Sequence, residues 1–470
     1  MRKSSALIKT AYLMLLSAVS ALFLCACDMS DFDINDIMPG FSAAESAAKN
    51  STGEDGNELS VTIVNDDNPV IVPEVIEPAP EPEAEYVEIY DEVNKEYSVN
   101  PADKDAVTLG FVGDIGFAEG YATIRVFREN GEDINAAMDS EVLSYLQGVD
   151  IMMANNEFPY SDRGEPTPDK TYTFRADPKD VHIMTDLGVD IVSLANNHAY
   201  DYGPDALIDT IDTLNGARLP FVGAGKNIEE AKKPAYFHAG EHVISYVSAT
   251  QIERYGNPDT KEATEDSPGV LRTLDPDKFV EVIKEADANS DFVVVYVHWG
   301  SESTDLVEQS QRDLARAYVD AGADLIIGDH SHCLQGIDYV DDVPVFYSLG
   351  NFWFNSKSLD TCIVRTVIAP DGSISELKFI PCRQVGSKVR IATSEEKSSI
   401  IEYMRGISNY ATIDDDGIVN KSDTDNNTQG GQNTSPAKKT QDADTAAAET
   451  ETAAEPSAQD LIDAALNAAN

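Results

Sequence analysis

Between positions 104 and 413 short apolar runs alternate with amphipathic stretches, and this alternation is what most limits the folds open to the chain. The pattern predicts strands over 107–112, 149–154, 190–194, 242–247, 292–297, 325–327 and 345–347. It predicts helices over 138–146, 178–187, 204–215, 275–286 and 305–321. Parallel strands need a crossover connection, so strands that alternate with helices imply βαβ units and an α/β class. From Gln335 to about Pro381 strands follow one another with few helices, the pattern of an antiparallel section that closes the sheet system.

The flanks read differently. Residues 28–103 are acidic and Pro-rich, with almost no Lys or Arg, and are expected to form a disordered, self-repelling linker. Residues 414–470 are a low-complexity tail of Asp, Asn, Thr, Gln, Ala and Gly, also expected to be disordered. Residues 1–27 read as an export signal, with Arg2, Lys3 and Lys9 beside an apolar run. Leu24-Cys25-Ala26-Cys27 resembles the lipobox of bacterial lipoproteins, in which the last Cys is acylated. The expectation is therefore a membrane-anchored, extracytoplasmic lipoprotein held to lipid through Cys27. Ordinary signal-peptidase cleavage and an uncleaved anchor are the alternatives, and all three place the domain outside the cytoplasm.

The 470 residues carry 34 Lys and Arg against 83 Asp and Glu, a net charge of −49. A polyanion needs a basic footprint, so nucleic acid is excluded as a general partner. An anionic substrate would need local cations to offset the repulsion. The five cysteines are too few for a disulfide framework; Cys362 and Cys382 either pair or sit apart as small core residues.

Five of the strand-like runs end in polar clusters: Gly113-Asp114, Asn155-Asn156-Glu157, Asn196-Asn197-His198, His298-Trp299-Gly300 and Gly328-Asp329-His330-Ser331-His332. In open α/β sheets ligands bind beyond the carboxyl ends of the strands. Of the seven histidines, His198, His298, His330 and His332 lie at these ends, whereas His182, His238 and His242 sit in ordinary contexts. Imidazole and carboxylate together suit Zn, Mn or Fe rather than Mg or Ca. Each residue alone has a bland explanation: Asp114 as a helix cap, Glu157 as a loop acid, Asn197 as a turn residue, His298 as a buried ring. Jointly they occupy one face of one sheet system, which packing does not require.

Several stretches together resemble the CapA (poly-γ-glutamate capsule synthesis) family of the calcineurin-like metallophosphatase superfamily. They are Phe111-Val-Gly-Asp114, Asn155-Asn-Glu157, Thr173-Phe-Arg-Ala-Asp-Pro178, Ser193-Leu-Ala-Asn-Asn-His-Ala-Tyr-Asp-Tyr-Gly203, Val297-His-Trp-Gly-Ser-Glu302, His330-Ser-His332 and Phe346-Tyr-Ser-Leu-Gly-Asn-Phe352. The resemblance implies a four-layer sandwich of two mixed β-sheets flanked by helices, with two divalent metal ions at the strand ends. Asp114 and His332 would bind one ion, Asn197, His298 and His330 the other, and Glu157 would bridge them. His198 would donate a proton to a leaving group. Asp201 would orient that ring or cap the following helix, and Arg175 is a candidate anion contact.

The chain departs from the superfamily pattern in places. The usual Asp-x-His is Asp114-Ile115-Gly116, so one ligand of the first ion is missing. Ser331 stands where the family has Pro, Cys333 adds a thiol, and Asn156 replaces an apolar residue. The resemblance implies either a metal-dependent phosphoesterase at the cell surface or a capsule-assembly factor. The latter would work with membrane subunits and bind anionic polymer through metal without hydrolysis. A binding module with a decayed site is the third possibility.

Overall fold

A computed structural model describes residues 88–252 and 260–423 of the chain. The export signal, Cys27, most of the linker span and most of the tail span lie outside the described residues.

Two eight-stranded sheets stack face to face. In the first, the strands His242–Thr250, Phe292–His298, Leu325–Asp329 and Val343–Phe346 run parallel. In the second, Val107–Ile115, Ile151–Asn156, Ile191–Ser193 and Phe221–Val222 run parallel. The long hairpin Leu359–Ile368 with Ile374–Val385 packs antiparallel against Val107–Ile115, as the helix-poor end of the sequence implies.

Both faces of these strands are covered, which is why they read as near-continuous apolar runs. Successive side chains alternate between faces. Leu109, Phe111, Ile151 and Met153 meet Tyr246, Val294, Tyr296 and Ile327 between the sheets. On one outer face Met152, Ala154 and Val192 pack with Leu207 and Ile211 of the helix Gly203–Gly216. On the other, Val293, Val295 and Val297 pack with Phe279 and Ile283 of the helix Asp277–Asp287. Leu314 and Tyr318 of the helix Gln309–Asp320 join them. The result is the expected helix–sheet–sheet–helix sandwich.

The expected linker and tail boundaries need correction. The strand Glu96–Val99 adds to the sheet edge, parallel to Ala235–Ala239, and Tyr97 is buried against Phe237 with ring centroids 5.2 Å apart. The folded domain therefore includes residues 88–103. Beyond position 414, Val419–Lys421 pairs with Ala411–Ile413 and Val419 is buried. The predicted helix over 178–187 divides into a 3₁₀ turn, Pro178–Val181, and the short helix His182–Asp186. The helices Ala122–Glu129 and Ser394–Ile407 were not expected. Cys362 and Cys382 are both free and buried. They pack into separate cores on opposite faces of the hairpin, so no disulfide joins them.

Candidate metal centre

The parallel strands of both sheets end on one side, and their pairing register lines up the polar residues. Asp114 lies beside Asn155 on one neighbour and beside Asn351 on the other, while His298 lies beside Asp329. Close approach at this end depends on glycine: a Cβ at Gly113 would sit 2.0 Å from the Gly350 carbonyl oxygen, which accepts from the Asp114 N–H at 3.1 Å. Gly350 itself has φ +67°, a region open to glycine at little cost.

His298 is the hub. Its Nδ1 lies 2.7 Å from Asp329 Oδ1, so the ring proton sits there and the Nε2 lone pair points into the centre. Around that Nε2 stand Asn197 Oδ1 at 2.8 Å, His330 Nδ1 at 3.0 Å and Glu157 Oε1 at 3.7 Å. Beside them, Asp114 Oδ2 is 3.4 Å from His332 Nδ1, which also meets Asn351 Oδ1 at 2.8 Å. His330 and His332 reach inward from a tight reversal with φ +88° and +56°, conformations unfavourable for a side-chain-bearing residue. The ligand atoms of Glu157, His298 and His330 lie within 4.8 Å of one another, as do those of Asp114, Glu157 and His332.

This donor set fits divalent metal ions. Several lone-pair atoms face each other in a buried space, and Asp114 Oδ2, Glu157 Oε1 and Asp329 Oδ2 are buried without a hydrogen-bond partner. An unpaired buried carboxylate oxygen is costly, and a cation removes the cost. Burial, then Asp114 and Asp329, push the Glu157 carboxyl well up from its ordinary value. Negative charge is thus over-supplied at the position that would bridge two ions. Burial holds His298 down at about 3 and His330 well below its ordinary value, so both rings are neutral at neutral pH, the form that can ligate a metal. Burial also pushes Asp114 upward, but His332 and His298 outweigh it and hold that carboxyl at about 2.

The six expected ligands, Asp114, Glu157, Asn197, His298, His330 and His332, are thus brought together. His198 joins them: its Nε2 is 3.9 Å from Glu157 Oε1 and its Nδ1 is 2.7 Å from Asp201 Oδ2. Asp201 therefore orients the ring. It is itself held by the Lys170 ammonium at 2.6 Å and the Phe174 N–H at 2.7 Å. Arg175 stands apart in its contacts. Its guanidinium lies 4.1 Å over the Tyr202 ring and donates to the Arg163 carbonyl at 3.2 Å.

Sequence reasoning missed several supporting residues. Asp329 lay inside a quoted cluster but was given no role. Asn351 lay in the Leu-Gly-Asn-Phe stretch, and Lys170 is visible only in three dimensions. Asn196 ties the loops together, donating to Asn155 Oδ1 and to the Asn156 carbonyl, each at 2.9 Å. At the position of the missing histidine, a Cβ on Gly116 would meet the Phe354 ring at 2.6 Å. Phe354 fills that space and lies 5.3 Å from the His332 ring.

Residues 108–356 match the bacterial capsule synthesis protein PGA_cap family. The chain is 32% identical over 278 residues to the PGA biosynthesis protein CapA of Bacillus subtilis strain 168, covering 57% of this chain and 70% of that protein. It is 31% identical over 320 residues to the capsule biosynthesis protein CapA of Bacillus anthracis, covering 64% and 74%. A probable polyglutamine synthesis accessory protein of Mycobacterium tuberculosis strain H37Rv is 30% identical over 283 residues, covering 56% and 73%. With the matched segment spanning the strands that build the centre, the chain belongs to the PGA_cap family of bacterial capsule synthesis proteins, within the metallophosphatase-like superfamily.

Proposed function

We propose that this protein is a metal-dependent phosphoester hydrolase at the cell surface that serves synthesis of an anionic capsule polymer such as poly-γ-glutamate. The observation that carries the reading is the convergence of buried, partnerless carboxylate oxygens and neutral imidazoles beside the His198–Asp201 pair. Two bound divalent ions would supply positive charge that polarises a phosphoryl oxygen and acidifies water. Glu157 would lie between the ions; Asp114 and His332 would hold one, and Asn197, His298 and His330 the other. The chain's own proton chemistry rests on His198. Asp201 accepts from Nδ1 and leaves the Nε2 lone pair facing the centre, where it would take up the proton released by the attacking water and pass it to the departing alkoxide. The Phe174 ring, 4.3 Å from His198, shields that step from water. The export signal and an acylated Cys27 would keep the domain at the outer surface, tethered to lipid.

The test uses the full chain loaded with Mn²⁺, Fe²⁺ or Zn²⁺ and assayed on p-nitrophenyl phosphate and its bis-ester. The expected result is metal-dependent turnover that falls roughly 10²–10⁴-fold in His198→Ala with metal content unchanged. A metal-loaded protein inactive on both esters would overturn the hydrolase reading. The second reading then stands: a capsule-assembly or export factor that binds anionic polymer through metal, together with membrane subunits. It is favoured by the net charge of −49, which makes direct contact with a polyanion unfavourable without bridging cations. The names of the relatives, which concern polymer biosynthesis, favour it too.

A further inference from the structure

Two buried amides, Asn155 and Asn196, stand beside the metal ligands with every side-chain polar atom engaged. The direction of donation through them is fixed from one end. The His198 N–H can only donate, and it reaches Asn196 Oδ1 at 3.0 Å. The Asn156 carbonyl can only accept, and it takes a proton of Asn196 Nδ2 at 2.9 Å. Asn196 Nδ2 therefore also faces Asn155 and donates to its Oδ1 at 2.9 Å. That turns Asn155 Nδ2 toward Asp114 Oδ1 at 2.9 Å, with Glu157 Oε2 3.5 Å away.

Both carboxylates are divided by this contact. Asn155 faces Asp114 Oδ1 and Glu157 Oε2, and the oxygens left buried without a partner are Asp114 Oδ2 and Glu157 Oε1. Those two are the oxygens that face imidazoles, Oδ2 at 3.4 Å from His332 Nδ1 and Oε1 at 3.7 Å from His298 Nε2. We propose that Asn155 is the positioning residue of the first metal position. By holding Asp114 Oδ1 it makes Asp114 a one-oxygen ligand through Oδ2, and Asn196 fixes the direction in which it donates. The proposal rests on the metal-centre reading above. The parallel register sets Asn155 beside Asp114, so amide and carboxylate are neighbours by strand pairing. A carboxylate at position 155 would have no proton to donate and would face Asp114 with like charge. The far end of the relay is the backbone of His198, so the same amides hold the loop that carries the proton-handling ring.

The experiment uses the full, chelator-stripped chain and Mn²⁺. Free Mn²⁺ is read by electron paramagnetic resonance, and carboxylate stretches by infrared difference spectra between metal-loaded and metal-free protein. The parent should show the wide separation of asymmetric and symmetric stretches that marks one-oxygen ligation, in bands that disappear in Asp114→Asn. In Asn155→Ala one Mn²⁺ should bind roughly 10- to 100-fold more weakly, the range for residues that hold a ligand in place. The same bands should close up as Oδ1 is released to the ion. Narrowly separated Asp114 bands in the parent overturn the proposal. Asn155→Ala with either readout unchanged also overturns it, while the metal reading stands. A loss of the same size on the ion that Asp114→Asn retains, when the two substitutions are combined, shows packing rather than positioning and overturns it too. Asn196→Ala keeps Asn155 but removes the partner that orients it, so both readouts should move the same way. If Asn155→Ala does not fold, Asn196→Ala decides, and no change in it overturns the proposal. A parent that binds no Mn²⁺ defeats the metal reading itself, and this proposal with it.

Discussion

Replacing Asp329 by Asn should change the metal-loaded and metal-free proteins in opposite directions. Asp329 Oδ1 accepts the His298 Nδ1 proton at 2.7 Å with both groups buried. A hydrogen bond to a charged group contributes about 1.5–3 kcal/mol. An amide at this position can donate to Nδ1, shifting the ring proton to Nε2 and removing the lone pair that meets the ion. At about 1.4 kcal/mol per factor of ten, metal binding should weaken by roughly 10- to 100-fold, the range typical of residues that buttress a ligating imidazole. Without metal the sign reverses. Burial, then Asp114, raises the Asp329 carboxyl well above its ordinary value. The folded state then holds a proton that the unfolded chain releases, so above the unfolded value near 3.9 this group costs stability as pH rises. Asn carries no such cost. Thermal melts at pH 7 should show Asp329→Asn at least as stable as the parent in chelator, with a smaller rise on adding Mn²⁺. A variant that melts lower in chelator yet binds Mn²⁺ as tightly as the parent would refute the assignment and leave Asp329 a packing residue.

Two further outcomes follow from buried lysines. Lys95 is fully buried, donates to the Phe221 carbonyl at 3.1 Å, and burial lowers it to about 7. Its folded value lies below the unfolded value near 10.4, so stability rises with pH between them. In denaturant titrations Lys95→Met should be more stable than the parent at pH 7, by a margin that shrinks toward pH 10; a constant margin would contradict this. Lys170 bonds both Asp201 and the Asn197 carbonyl at 2.6 and 2.5 Å. Lys170→Met strands a buried carboxylate, which should cost about 3–5 kcal/mol by chemical denaturation, with most of it recovered in the double variant with Asp201→Asn. No recovery in the double variant would show that Lys170 acts through packing alone.

The linear pattern determined much of this protein. Runs such as 292–297 and 325–327 are apolar on both faces, so only a doubly covered parallel sheet accommodates them. Strand ends on one side of such a sheet share a surface, so the polar clusters that hold Asp114, Glu157, Asn197, His298, His330 and His332 were legible before any coordinates, whereas the choice of these six within the clusters came from the family resemblance. What tertiary structure decided was the partnership among non-local residues. Asp329 buttresses His298 because two parallel strands pair in that register, and a one-residue slip would separate them. Glu96–Val99 looked like linker because it is short and set among acidic residues; it becomes a strand only against the open edge of Ala235–Ala239. Lys170 and Phe354 reach the centre from loops whose local sequence carries no periodic signal. Their contacts exist only once both sheets have brought those loops to one end, and no window of sequence contains that distance.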